Sequence, residues 1–207
     1  RRNYIYKGFI VIAVIDCGGA NLRSVSYALE YLNIKYQICI NKEQIKNSNG
    51  IIIPGVGAAK NVMNNLKKYD FINTIKEYKK PVLGICVGMQ IFYDYSEEEN
   101  EKCLGLIPGE IKRFDNNNLT IPHMGWNEIT FSNHKLFDNC EQGSDFYFVH
   151  SFYFQNQKNE HSIATTKYPD QITAAVCKEN ICGTQFHPEK SHINGKKIIH
   201  NFLEWKP

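Results

Sequence analysis

Three short runs in the first half of the chain are apolar almost throughout: Ile10 to Ile15, Gly50 to Ile53 and Pro81 to Ile85. A strand without polar alternation must be covered on both faces. The segments between these runs carry helical spacing instead. Asn21 to Leu32 places Leu22, Val25, Leu29 and Leu32 on one face; Ala59 to Leu66 and Phe71 to Tyr78 read as further helices. Tyr36 to Ile40 reads as another strand, and a helix through Met89 to Tyr93 follows the third apolar run. Alternation of this kind predicts an α/β fold, with a central, mostly parallel sheet flanked by helices.

The second half changes style. Ile107 to Phe114, Trp126 to Phe131, Phe146 to Phe152, Ser162 to Lys167, Ile172 to Lys178 and Ile181 to Phe186 are short strand-like runs punctuated by Asn, Gly and Pro. They predict additional antiparallel strands. Gly195 to Trp205 closes the chain as an amphipathic helix. No linker or repeat divides the sequence, so one domain is expected over residues 9–207. The basic stretch Arg1 to Gly8 reads as an N-terminal extension or expression remnant.

Composition narrows the function classes. A net charge of +3, from 24 basic and 21 acidic residues without basic blocks, gives no footprint for nucleic acid. No apolar run reaches membrane-span length. Seven scattered cysteines do not form a secreted disulfide framework, so a reducing cytoplasm is the expected setting. Cys177 and Cys182 flank a two-residue turn and read as structural hairpin residues. No second pair has finger-like spacing, and no metal or other cofactor is expected.

The sharpest chemical signal is Gly84-Ile85-Cys86-Val87-Gly88, between an apolar strand and a helix. A tight strand-to-helix turn with small flanking residues projects its central side chain from the sheet edge; here that side chain is a thiol. The helix start favours thiolate, and the Val87 amide points where an oxyanion would form. The alternative is a small buried core cysteine. A thiol nucleophile needs a base, and the base needs an orienter. Gln185-Phe186-His187-Pro188-Glu189 supplies both: His187 to move the proton, Glu189 to hold the imidazole. His134, His161, His192 and His200 lack such support and read as exposed or capping residues. Pro54-Gly55-Val56-Gly57 ends an apolar strand at the same expected edge. It is either an ordinary turn or one that brings a backbone N–H to the site.

These motifs, together with Asn21-Leu22-Arg23-Ser24-Val25, Pro122-His123-Met124-Gly125-Trp126-Asn127 and Tyr147-Phe148-Val149-His150-Ser151, resemble the class I, triad-type glutamine amidotransferases. Within them, the match is to the glutaminase subunits that serve imidazole glycerol phosphate formation. The resemblance covers about Val11 to Leu203. It implies that Cys86, His187 and Glu189 form a catalytic triad that hydrolyses glutamine through a thioester. Val87, Val56 and Gly57 would serve the oxyanion; Gly55, Gln90, Glu98, Ser151 and Phe152 would hold substrate. It further implies a heterodimer with a (β/α)8-barrel cyclase that takes up the ammonia in histidine biosynthesis, a lyase step. His123, Met124, Trp126 and Asn127 would face that partner, although Met124 and Trp126 could instead plug a core. The same glutaminase feeding another synthetase, or an inactive scaffold subunit, are the other readings. Cys17, Ala20, Val87 and Phe152 depart from the usual residues of the family.

Overall fold

The computed structural model describes residues 11–18, 21–115, 119–154 and 160–207. The expected extension Arg1 to Gly8, Ile10 at the start of the expected first strand, and Ala20 lie outside them.

The first half runs β1 (Val11–Ile15), α1 (Leu22–Tyr31), β2 (Lys35–Cys39), β3 (Gly50–Ile53), α2 (Ala59–Lys68), α3 (Phe71–Glu77), β4 (Val82–Ile85) and α4 (Val87–Gln90). The second half adds the short strands β5 (Tyr95–Ser96) and β6 (Glu101–Lys102), then β7 (Glu110–Arg113), β8 (His123–Glu128), β9 (Thr130–Phe131), β10 (Asp145–His150) and β11 (Phe152–Phe154). It ends with β12 (Ser162–Lys167), β13 (Gln171–Lys178), β14 (Ile181–Thr184) and α5 (His192–Glu204).

The central sheet has the order β2-β1-β3-β4-β14-β13-β12-β9. Pairing is parallel from β2 across to β14 and antiparallel beyond it. The β3 and β4 strands are buried at every position, as their apolar sequences require. Each fully buried aliphatic side chain there contributes about 1.5–3 kcal/mol. Helix α1 buries Val25, Ala28 and Leu29, α2 buries Val62, Met63 and Leu66, and α5 buries Ile198, Ile199 and Phe202.

Four expected elements differ. The run 126–131 divides after Glu128, its start lying in β8 against β10 and its end forming β9 against β12. The run 146–152 is two strands, because the chain leaves β10, paired with β8, at Ser151 and joins β7 as β11. The helix expected over Met89 to Tyr93 ends at Gln90, where Phe92 and Tyr93 tighten to i,i−3 bonds with Met89 and Gln90. The last helix starts at His192 rather than Gly195, since the Gly195 amide donates back to the Ser191 carbonyl.

Parallel pairing has one consequence for function. The carboxyl ends of β3, β4 and β14 lie at one sheet edge, the usual location of sites in α/β folds. The segments 54–57, 86–88 and 185–189 therefore converge despite their separation in sequence.

Candidate active site

The turn after β4 carries Cys86 at φ 55°, ψ −109°, a backbone conformation that costs about 1–3 kcal/mol for a residue with a side chain. Surrounding contacts hold it there. The Cys86 amide donates to the Thr184 carbonyl at 2.7 Å, tying the turn to the end of β14. The flanking glycines are steric necessities: a Cβ on Gly88 would lie 2.0 Å from the Ile53 carbonyl oxygen, and one on Gly84 would lie 2.4 Å from the Gly88 oxygen. Helix α4 is only four residues long, so it offers individual amides rather than a developed dipole.

His187 leaves β14 two residues beyond Gln185, and its amide donates to the Tyr147 carbonyl at 2.9 Å. Ser191 Oγ donates to the His187 carbonyl at 2.7 Å and in turn accepts from the Tyr147 amide at 3.0 Å. His187 Nδ1 lies 2.7 Å from Glu189 Oε1, with both side chains fully buried. The other ring nitrogen, Nε2, makes no hydrogen bond to a protein group. Burial pulls the imidazole toward neutrality. The negative charges of Cys86 and Glu189 outweigh it and hold the ring up at about 10. The thiol at 86 and the imidazole at 187 are thus brought together from opposite halves of the chain.

Cys86 opens onto a cavity of about 370 Å³, lined also by Val56, Gly57, Ala58, Val87, Gln90, Glu98, Pro122, Val149, His150, Ser151 and Phe152. Of the residues expected to bind substrate or oxyanion, only Gly55 lies off this wall; a Cβ there would meet the Gly88 amide at 2.4 Å. Gly57 sits at φ 95°, and nothing lies within 4 Å of where its Cβ would be. Glu98 Oε2 accepts from the Ala59 amide at 2.8 Å, and burial raises its carboxyl above the ordinary value. Gln90 directs its amide nitrogen to the Phe152 carbonyl at 2.9 Å and to Gln185 Oε1 at 3.0 Å.

Three contributors carry no assigned role in the sequence reading. Asn21 Nδ2 donates to Glu189 Oε1 at 2.5 Å and lies 3.3 Å from His187 Nδ1. Asn21 is the N-cap of α1, yet its side chain makes no capping bond. Its amide is diverted to the carboxylate, so the capping contribution of about 0.5–2 kcal/mol is forgone. Gln185 Nε2 donates to the Cys86 sulfur at 3.7 Å, and the same sulfur lies 3.7 Å from the Val149 carbonyl oxygen. His150, a buried member of the cavity wall, has Nδ1 2.8 Å from the Phe152 carbonyl and Nε2 3.0 Å from His123 Nδ1. Asn21 and Gln185 stand within the sequence motifs, but spacing alone does not reveal where an amide points.

The expected interface residues divide. Met124 and Trp126 are 62% and 46% exposed and project from β8, so neither plugs the core. His123, on the opposite face, is 3% exposed and stacks between Phe148 and Tyr168. Asn127 is partly exposed and reaches His123 Nε2 at 3.3 Å. Of the four unsupported histidines, His134 caps a short turn by accepting from the Leu136 amide, and His192 stacks on Trp126 at 4.8 Å. No helix among the described residues is long and apolar enough to cross a membrane.

Comparison with known proteins places the chain in a family. The family model described as glutamine amidotransferase class-I matches residues 13–205. The imidazole glycerol phosphate synthase subunit HisH of Haemophilus influenzae (strain ATCC 51907 / DSM 11121 / KW20 / Rd) is 44% identical over 199 residues, covering 96% of this chain and 99% of that protein. The HisH subunit of Buchnera aphidicola subsp. Acyrthosiphon pisum is also 44% identical, covering 93% and 98%. Among solved structures, a glutamine amidotransferase matches with TM-score 0.73 at 18% identity, covering 95% of this chain and 98% of that one. PurLQS from Thermotoga maritima matches at TM-score 0.73 and 20% identity, covering 95% and 99%. These two likenesses concern the fold.

Proposed function

This chain belongs to the class I glutamine amidotransferases, and from that membership we propose that it hydrolyses glutamine and delivers the ammonia to a cyclase subunit for imidazole glycerol phosphate formation in histidine biosynthesis. One observation carries the chemistry: a thiol held on a strained elbow, beside a buried imidazole–carboxylate pair, at the mouth of a 370 Å³ cavity. The near full-length identity to HisH subunits supports the acceptor.

The Cys86 sulfur attacks the side-chain carbonyl carbon of glutamine. The carbonyl oxygen takes up negative charge and is held by backbone amides of Val87 and of the Val56–Gly57 turn. His187, raised to about 10 and therefore protonated at neutral pH, gives its proton to the departing nitrogen. The C–N bond breaks, ammonia leaves, and a glutamyl thioester remains on Cys86. His187, now neutral, takes a proton from water as its oxygen attacks the thioester. The C–S bond breaks, glutamate leaves, and the thiolate is restored beside the imidazolium. Glu189 keeps Nδ1 engaged throughout, so that Nε2 faces the reacting atoms, and Asn21 holds Glu189. Gly55 packs the elbow; Gln90, Glu98, Ser151 and Phe152 shape the substrate wall.

The partner is a (β/α)8-barrel cyclase, and the lyase step belongs to it. Exposed Met124 and Trp126 on β8 suit an interface core, where aromatic residues and methionine are enriched. Reducing cytoplasm suits a chemistry that depends on an unoxidised thiol.

The deciding experiment assays glutamate release by wild type and Cys86→Ala, with the cyclase and its nucleotide ligand present. Cys86→Ala is expected to lose at least about 10³-fold in kcat, on the scale of nucleophile deletions. Equal turnover by both proteins rejects Cys86 as nucleophile. Failure of the chain to co-purify with a barrel cyclase rejects the assigned acceptor.

A further inference from the structure

Among the described residues outside the cavity, one cluster of nucleophilic side chains stands apart. Cys177 and Cys182 are direct cross-strand partners in the β13–β14 hairpin. The Cys177 amide donates at 2.8 Å to the His161 carbonyl, on the side of β13 away from β14. Cys177 and Cys182 therefore occupy a non-hydrogen-bonded pair. Opposed Cα atoms at such a pair are about 4.5 Å apart and the side chains lean together. That spacing falls within the range of about 4.4–6.8 Å that a disulfide can bridge.

His134 arrives from the loop after β9. One of its ring nitrogens and the two sulfurs all lie within 4.8 Å of one another. Its Nδ1 accepts from the Leu136 amide at 3.1 Å, so the neutral ring carries its proton on Nε2. The ring can donate from Nε2 to sulfur while Nδ1 stays capped. A cation bound through Nε2 would need the opposite tautomer and would forfeit the cap. The geometry favours a stabilised thiolate over a metal ligand set.

The two thiols are unequal. Cys182 is fully buried, whereas Cys177 is half-buried. A hydrogen bond from Cys182 outweighs burial and, with His134, brings the Cys177 thiol down to about 6; burial and the same pair push Cys182 well up. Cys39, Cys103 and Cys140 go the other way, to about 11, 12 and 11, through burial.

We propose that Cys177 is a second reactive thiol of this protein, that hydroperoxides are its substrate class, and that Cys182 is its resolving partner. The Cys177 thiolate attacks the distal peroxide oxygen. The O–O bond breaks, Cys177 becomes a sulfenic acid, and the alkoxide or hydroxide leaves and takes a proton from water. The Cys182 thiol then attacks the sulfenic sulfur, an S–S bond forms, and water departs. Two electrons pass from the sulfur pair to the peroxide, and a dithiol reductant returns them.

The test uses the whole protein and reads each cysteine by peptide mass. A short iodoacetamide pulse at pH 6.5 is expected to label the peptide Tyr168 to Lys178 at least about tenfold faster than those carrying Cys39, Cys103 or Cys140, as the thiolate fractions require. Stoichiometric hydrogen peroxide is expected to join that peptide to Glu179–Lys190 with loss of two hydrogens, reversed by dithiothreitol. Cys182→Ser, which keeps the Cys177 environment small and polar, is expected to leave a sulfenic acid at 177 that dimedone traps. Labelling of Cys177 no faster than Cys140, or absence of the 177–182 crosslink, overturns the proposal. Protection of both thiols by one equivalent of Zn²⁺ also overturns it, in favour of a cation site.

Discussion

His123 and His150 form a chain whose direction is dictated by its last member. The Phe152 carbonyl can only accept, so His150 Nδ1, 2.8 Å away, carries the proton. His150 Nε2 is then an acceptor, filled by His123 Nδ1 at 3.0 Å, and His123 Nε2 accepts from Asn127 Nδ2 at 3.3 Å. Both rings are neutral, since burial lowers His123 to about 4 and His150 to about 3. The substitution His123→Phe keeps a ring in the stack between Phe148 and Tyr168 but removes the donor. His150 Nε2, almost wholly buried, is left unpaired at about 1–3 kcal/mol. At about 2–4 °C per kcal/mol for a chain of this size, melting should fall by about 2–12 °C. The pH dependence provides a sharper readout. A histidine whose folded pKa is depressed from 6.5 stabilises above 6.5 and loses that contribution as pH falls toward 4. At pH 5 the loss for His123 is at most about 2 kcal/mol, and less with residual solvent screening. The variant lacks this acid penalty, so its deficit against wild type should shrink between pH 7.5 and pH 5. Urea unfolding followed by Trp126 and Trp205 fluorescence at both pH values measures it. Equal midpoints at pH 7.5, or a gap that does not change with pH, would refute the directed chain.

Two further outcomes follow from the proposed triad. Asn21→Ala removes a short hydrogen bond to the Glu189 carboxylate, about 1.5–3 kcal/mol, and should lower glutaminase kcat by roughly 10- to 100-fold with KM nearly unchanged; a shift confined to KM would show that Asn21 acts on substrate instead. His187 is held up near 10 by the Cys86 and Glu189 charges. It therefore adds stability that is complete below pH 6.5 and is lost as pH rises through about 10. Ring-proton NMR should find His187 still protonated at pH 8 in wild type and titrating lower in Cys86→Ala; identical titration in the two proteins would mean that the sulfur charge does not reach the ring.

The parallel half of the fold was legible because its physics is local: fully apolar runs such as 50–53 admit only a doubly covered strand. Cys86 was legible for the same reason, since Gly84 and Gly88 mark a turn where any Cβ collides with backbone. The break at Ser151 was not, because Phe146 to Phe154 carries strand-forming residues on both sides and only the choice of partner, β8 or β7, divides it. Asn21 was hidden differently. Asparagine before a helix reads as a cap, and its true acceptor lies 168 residues away. The neighbourhood of His134, Cys177 and Cys182 was likewise invisible, because spacing rules for cysteines do not register a histidine from a distant loop.

The antiparallel additions are what turn an exposed sheet edge into an enclosed site. Without β8, β10 and β11, Cys86 would sit at the open carboxyl end of β4, where water competes for every hydrogen bond. The β8–β10 ribbon and the bend at Ser151 bring Val149 to Phe152 across that opening as a fourth wall. Period-two alternation gives β8 a second role. Met124 and Trp126 face solvent, while His123 beside them faces inward and bonds to His150. From His150 the chain continues to the Phe152 carbonyl, which also receives Gln90, and Gln90 leads through Gln185 to the Cys86 sulfur. If the proposed cyclase docks on the outer face of β8, it presses on the strand whose inner face fixes the polar groups behind the thiol.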